Sequence, residues 1–525
     1  MTNKRPYKLA FYQTNGLRFL IIVLLVLGVF FRFANLDRKV YWEDEAFTSL
    51  RVSGYRETEL IQHVFNGHEI GVEDLQKYQR PNPEKGVVDT IKGLAVEEPQ
   101  HTPLYFIMVR LWVQWFGNSV AVTRSLSALI SLLVFPCIYW LCQELFELPL
   151  TGWVAVALMA VSPFHVVYAQ EAREYSLWTV TILLSSAALL RAMRLKTKLS
   201  WGLYAATMVL GLYSYLFSIF VAIGHGIYVV VMERFRLTKT VTAYLLASLV
   251  AFLAFSPWLV IVTSNWYAAA KTTHVLATQT PVSRLTLLKG LGHVIRSPFI
   301  DLGIGFYQTP LIVILIGYSI YFLCRNTPKT ICWFILTLIG VTSIALILPD
   351  LILGAEKLMV GRYLITVYLG IQLAVAHLLA TQINSASFFH SKIWQAIMAV
   401  VISVGVVSCA INSSAELSLS KLQNADNSQI AHLINQTNRP LLISDMSDPD
   451  NHGYLLSLSY SLNPKVRLRL VVNPRGLQIP DGFSDIFLYQ PGKALREELK
   501  HNYKVEPVPI EPIQQKDKLW RLAKE

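Results

Sequence analysis

The stretch Leu17-Arg-Phe-Leu-Ile-Ile-Val-Leu-Leu-Val-Leu-Gly-Val-Phe-Phe31 decides the fold class. Arg18 is its sole charge, Lys4, Arg5 and Lys8 precede it, and Arg32 follows. A cleavable leader needs small residues at a cleavage site, and Gly28-Val29-Phe30-Phe31-Arg32-Phe33 offers no good one. The run is therefore expected to be a signal anchor with its N-terminus in the cytoplasm. Further apolar runs follow at 121–142, 149–168, 174–194, 199–215, 216–232, 240–263, 308–324, 330–349, 363–382 and 393–412. A bilayer core needs about 20 residues per helix. The reading is an α-helical polytopic membrane protein with about eleven transmembrane helices. The break near Tyr213–Phe217 must be tight for 199–232 to supply two, so ten or twelve stay open.

Composition agrees. Of the 525 residues 53% are hydrophobic and 15% are charged, against about 25% charged in a soluble protein. That deficit excludes a disordered chain, a coiled coil and most soluble enzymes. The net charge of +12 taken alone suggests nucleic acid. Its distribution says otherwise. The loops expected inside hold fourteen Lys and Arg against Glu144, Glu147 and Glu233, whereas 37–102 holds eight bases and thirteen acids. This is the positive-inside pattern of a plasma (inner) membrane protein. One inside loop, Glu144 to Leu150, has no base and disagrees.

The expected division is 1–36 (tail and first helix), 37–116 (first outside loop with an interfacial helix), 117–413 (membrane body) and 414–525. The last part has nearly balanced charge and short alternating runs. Ile430–Ile434 and Tyr454–Leu462 suit helices. Leu441–Ser444, Val466–Val472, Ile486–Leu488 and Trp520–Leu522 suit strands. It reads as a small C-terminal α/β domain outside the membrane. Pro103–Trp115 is apolar, short and interrupted by Arg110, which suits a helix lying on the outer leaflet. The outer segment 264–305 carries Lys271, Arg284, Lys289 and Arg296 against Asp301 alone. It suits an anionic ligand or lipid head groups equally well. The five Cys residues lie in or beside apolar runs with no framework spacing.

Four stretches can carry chemistry. Trp42-Glu43-Asp44-Glu45 crowds three carboxylates just outside the first helix. Crowding should raise one of their pKa values, and such a carboxylate can take a proton from a hydroxyl. The same acids also suit a helix N-terminus. Tyr168-Ala-Gln-Glu-Ala-Arg173-Glu174-Tyr175 falls on the same side. Its Arg173 can bind phosphate oxygens with a forked pair of hydrogen bonds or pair with Glu171 or Glu174. Glu97-Glu98-Pro-Gln-His101-Thr-Pro103 places Glu98 and His101 beside the interfacial helix. His101 can donate to a substrate oxygen or serve as a hydrogen-bonded structural residue. Glu356-Lys357-Leu-Met-Val-Gly-Arg362-Tyr363 brings two more cations to the outer face, where snorkelling to head groups accounts for them as well. His63 and His68 are five apart, which suits no helical ligand pair. No protein-only metal site is expected, and a divalent metal as co-reactant stays open.

The order of these stretches is more specific than any one of them. WEDE after the first helix, HTPLYF before an interfacial helix, Arg124-Ser-Leu-Ser-Ala-Leu129, SPFHVVYAQEAREYSL at 162–177 and a late GRYL together resemble the family 39 glycosyltransferases of the GT-C fold. That group includes the protein O-mannosyltransferases and the lipid A aminoarabinose transferases. The resemblance covers about 17–380 and is specific in the first two hundred residues. It implies a polyprenyl-phosphate-linked sugar as donor and an acceptor lipid, protein or polysaccharide hydroxyl outside the cytoplasm. Asp44 would be the catalytic general base and Glu45 its supporting neighbour. Arg173 and Tyr175, with Lys357, Arg362 and Tyr363 matching more loosely, would bind the donor phosphate. Glu98 and His101 would line the acceptor side. Thr102 stands where the family has the first Pro of His-Pro-Pro, which loosens the role of His101. Single displacement would invert the anomeric carbon. The rival class is a secondary transporter or lipid flippase. It predicts repeated halves and mid-membrane acids, and no acid lies between Tyr175 and Met232.

Overall fold

In hydrocarbon every backbone N–H and C=O must find a partner within the protein. Apolar runs of this length therefore become helices. The computed structural model describes residues 15–274, 284–302, 309–353, 360–385, 387–415, 426–510 and 518–524. Each apolar run of the sequence is helical in it. Among the described residues seven helices are long and apolar enough to cross a membrane, and an eighth counts if one bent pair is a single span. The helices Lys198–Ser214 and Ser218–Met232, either side of the tight break, have 17 and 15 residues. They fall short of a full ~20-residue crossing.

Two compact units divide the chain. One comprises Met1–Ala34, Pro99–Leu104 and Arg124–Ser414, the other Asn35–Glu98, Tyr105–Thr123 and Ala415–Glu525.

In the first unit the bent pair Pro149–Ala160 and Pro163–Ala169 turns by 59°. A Pro within the run has no N–H to continue the ladder, so carbonyls before it lose their partners. Arg32 supplies them. Its Nη1 donates to Ala160 O at 3.0 Å and Gly28 O at 2.8 Å, and its Nη2 to Met159 O at 2.9 Å. In return Gln170 Nε2 donates to Phe31 O and Ala34 O, at 2.7 and 2.8 Å, closing the end of helix Asn15–Phe33. The two helices can approach because Gly28 has no side chain: a Cβ there would lie 2.9 Å from Ala160 O. The base-free loop at Glu144 also has an explanation. The Glu144 carboxylate accepts from Arg194 Nε and Nη2, both at 2.9 Å, so a base from the end of helix Tyr175–Leu195 neutralises it.

The second unit is built on a six-stranded sheet of β1 (Asn66–Gly71), β2 (Pro440–Asp445), β3 (Arg467–Val471), β4 (Asp485–Tyr489), β5 (Tyr503–Pro507) and β6 (Leu519–Lys524). The order is β1-β3-β2-β4-β6-β5, with β2 parallel to β3 and β4 and the other pairings antiparallel. Every residue of β2 is buried, as a strand covered on both faces requires. Alternation sorts its side chains. Leu442 joins a core with Leu468, Phe487, Leu455 and, from the first loop, Ala46, Leu50, Leu60 and Leu75. Leu441 and Ile443 join the opposite core with Ile486, Leu488, Leu495 and Leu499. The sequence division sets 37–116 apart from 414–525, yet the sheet takes β1 and much of one covering layer from the first loop. Arg110, the oddity in the apolar helix Pro103–Phe116, is buried and donates to Val52 O at 2.6 Å and to Lys85 O.

Helix Glu43–Val52 carries Arg51, whose fully buried guanidinium meets Glu57 and Glu97 and binds Glu98 at 2.8 Å. His452 Nε2 lies 3.4 Å from Glu57. Burial works against the Glu57 carboxylate, but Arg51 and His452 prevail and hold its pKa at about 2. A carboxyl depressed from the usual ~4.3 stabilises the fold above that pH and ceases to as pH falls toward 2. Arg51→Ala would leave three carboxylates without their cation. A loss of about 3–5 kcal/mol is expected, read as a lower midpoint of thermal unfolding at neutral pH. An unchanged midpoint would show that the cluster does not hold the unit together.

Candidate functional site

Helix Glu43–Val52 starts where the acidic stretch lies, because Trp42 is extended and Glu45 folds back to accept the Trp42 backbone N–H at 3.4 Å. Glu45 is fully buried. It is the residue that closes the helix start. Asp44, the second residue of the helix, is partly exposed with its Oδ2 enclosed. Carboxylates in this turn are favoured by the positive end of the helix dipole.

The crowded acid whose pKa rises is Glu43, pushed up to about 9. Burial is the larger cause, followed by the negative charge of Asp44 and then of Asp450 and Asp448. Part of the burial comes from helix Asn451–Ser459, which begins beside it. Gly453 permits that approach, since a Cβ there would lie 2.5 Å from the Phe47 ring and 3.1 Å from Glu43 Cγ. Glu43 is thus protonated at neutral pH, next to Asp44. The Asp-Pro-Asp sequence at 448–450 gave no signal of its own, because only the fold brings it to Glu43. Glu98 is engaged by Arg51.

In the other unit the turn after the bent pair carries Arg173 and Glu174 to the start of helix Tyr175–Leu195. His101 Nδ1 lies 2.9 Å from Glu174 Oε1, and its Nε2 lies 3.3 Å from Arg173 Nη2. A guanidinium only donates, so Nε2 accepts from Arg173 and Nδ1–H donates to Glu174. This assigns the neutral Nδ1–H tautomer from the network. Arg173 Nε is 3.4 Å from Glu174 Oε2. The Tyr175 ring lies 5.9 Å from the Arg173 guanidinium. Ser127 Oγ donates to Arg173 O at 3.2 Å, fixing the backbone. Trp258 Nε1 donates to Pro99 O at 3.1 Å, fixing the segment that bears His101.

Aromatic contacts join this turn to the late GRYL stretch. Tyr175 meets Tyr168 at 5.1 Å and Tyr215 at 5.9 Å, Tyr215 meets Phe217 at 5.3 Å, and Phe217 meets Tyr363 at 5.2 Å. Arg362 lies over the Tyr363 ring at 5.6 Å and is close enough to act electrostatically on Tyr168 and Tyr215. His101, Arg173, Tyr175, Arg362 and Tyr363 are therefore gathered in one unit, lined by tyrosines that the sequence reading did not assign. Lys357 lies outside the described residues, as do the side chains of Lys271, Arg284 and Lys289. Among the described residues no group of three or more His, Cys, Asp or Glu side chains is gathered to hold a metal.

An aromatic-lined pair of guanidiniums is suited to an anionic group beside an apolar chain. Residues 100–261, which include His101, Arg173 and Tyr175, match the family model described as dolichyl-phosphate-mannose-protein mannosyltransferase. The whole chain superposes on ArnT from Cupriavidus metallidurans. For the structure bound to undecaprenyl phosphate the TM-score is 0.53 at 12% identity, covering 97% of this chain and 98% of that one. For the apo structure it is 0.54 at 12% identity, covering 97% of both chains. The chain has the GT-C fold. The family match makes it a glycosyltransferase, and the fold is that of integral membrane proteins. No curated protein sequence matches it.

Glu43 supplies a test of the acidic site of this GT-C protein. A carboxyl whose folded pKa is raised stabilises most at low pH and loses that contribution as pH rises from ~4.3 toward 9. Glu43→Gln keeps the neutral form at all pH. The unfolding midpoint of the wild type should therefore fall relative to Glu43→Gln between pH 6 and 9. Parallel curves would mean that Glu43 is ionised at neutral pH.

Proposed function

We propose that this chain moves a sugar from a polyprenyl-phosphate donor to an acceptor hydroxyl outside the cytoplasm, with inversion at the anomeric carbon. The carrying observation is that the family match spans the segment holding His101, Arg173 and Tyr175. The superposed ArnT with undecaprenyl phosphate bound supports a lipid-phosphate carrier of this kind.

The acceptor oxygen attacks the anomeric carbon as the bond from that carbon to the phosphate oxygen breaks. Asp44 takes the acceptor proton. The phosphate leaves with an added negative charge, which the Arg173 and Arg362 guanidiniums stabilise, with Lys357 as a third cation. Tyr175 and Tyr363 border the cations, His101 stands on the acceptor side, Glu98 contributes there only through its hold on Arg51, and Glu45 supports Asp44 by fixing the helix start. The chemistry faces outward because nucleotide sugars are cytoplasmic, so a donor available outside must arrive on a membrane lipid. In this reading the eleven apolar helices form the body, the N-terminus is cytoplasmic, and 37–116 and 414–525 lie outside the inner membrane.

Reconstituted protein given a radiolabelled polyprenyl-phosphate sugar should transfer label to an envelope acceptor. Asp44→Asn should lower turnover by about 10²–10⁴-fold while the unfolding midpoint stays at the wild-type value. Arg173→Ala should weaken use of the donor, with Arg173→Lys recovering part of it. Full turnover by Asp44→Asn would overturn the assignment of the base.

A further inference from the structure

The first unit carries a second place for an anionic lipid, away from the Arg173 turn. A groove of about 570 Å³ lies along the N-terminal halves of helices Lys198–Ser214 and Lys239–Ser264. Trp201, Gly202 and Leu246 line its apolar part, and Lys196, Lys198 and Lys239 stand around its polar end. The volume lies within the ~300–1,000 Å³ of ordinary ligand pockets.

The charge at this end is not balanced. Arg194 and Arg191 turn to Glu144, at 2.8 and 4.0 Å. Among the described residues Lys196, Lys198 and Lys239 have no carboxylate within ion-pair distance, and Glu233 is the one acid of the lining. Lys196 adopts a left-handed backbone (φ 55°) that ends helix Tyr175–Leu195 and places the first of these amines at the rim. Thr197 and Thr238 start the two helices by accepting from Ser200 N and Val241 N, at 3.2 and 3.3 Å, so rim and floor are held by the same capped turns. Gly202 keeps the floor open, since a Cβ there would meet nothing within 4 Å.

A groove with a three-lysine rim and an apolar floor is complementary to a phosphate on an acyl chain. We propose that it binds an anionic phospholipid, with the phosphodiester among Lys196, Lys198 and Lys239 and an acyl chain along Trp201 and Leu246. Basic pockets between membrane helices on the positively charged side take head groups in this way. By the charge distribution this is the cytoplasmic leaflet, opposite the face proposed for sugar transfer, and the site stands whether or not that transfer reading holds.

Native mass spectrometry of the purified full chain, titrated with phosphatidylglycerol or phosphatidylcholine, tests it. Phosphatidylglycerol should be retained in preference, and inorganic phosphate at equal concentration should not displace it. Each lysine is worth about a fivefold change, so K196Q/K198Q/K239Q should weaken retention by about a hundredfold. Gly202→Leu leaves every lysine in place and fills the groove, and it should also lose the lipid. Equal retention of phosphatidylcholine, retention by the triple variant, displacement by inorganic phosphate, or undiminished retention by Gly202→Leu would each overturn the proposal.

Discussion

The broken helix at Pro163 makes demands on its surroundings that shape much of the first unit. A kink within an apolar helix exposes carbonyls that hydrocarbon cannot satisfy. Arg32 donates to Met159 O and Ala160 O, and Gln170 donates to Phe31 O and Ala34 O. Arg32, in the last turn of one helix, closes the end of Pro149–Ala160, and Gln170, just beyond the bent pair, closes the end of the first. The exchange fixes where the chain leaves the bent pair, and the next residues are Glu171 to Glu174. The direction of the Arg173 guanidinium follows from a hydrogen-bonding constraint three residues earlier.

Four of the buried arginines differ in what meets them. Arg32 and Arg110 face backbone carbonyls, which cancel no charge but satisfy donors. Arg51 faces three carboxylates and ties together helices of the first loop. Arg173 lies beside the Glu174 carboxylate and the neutral His101 imidazole. Glu174 and His101 orient it.

A protonated acid lies beside its acidic neighbours in the second unit. Glu43 is driven to the protonated form by burial and by its acidic neighbours, while Asp44 stands in the first turn of the same helix. A neutral Glu43 keeps the local negative charge around its neighbours lower than three ionised carboxylates would.

Local chemistry and apolar length determined much of this by themselves. Every apolar run became a helix, because nothing else satisfies a backbone in lipid. The strands at Leu441–Ser444, Val466–Val472, Ile486–Leu488 and Trp520–Leu522 followed from short alternating runs. β1 and β5 were not legible: Asn-Gly-His-Glu-Ile-Gly and Tyr-Lys-Val-Glu-Pro lack such a run, and their pairing partners lie elsewhere in the chain. The kinds of residue in the candidate site were legible as well, since Arg173, His101 and Asp44 lie in distinctive short stretches. Their working state was not. Whether Glu98 faces a ligand or Arg51, which of three adjacent acids is neutral, and which tautomer His101 adopts all depend on burial and on partners distant in sequence. Only the tertiary structure decides those, because desolvation and hydrogen bonding act through space.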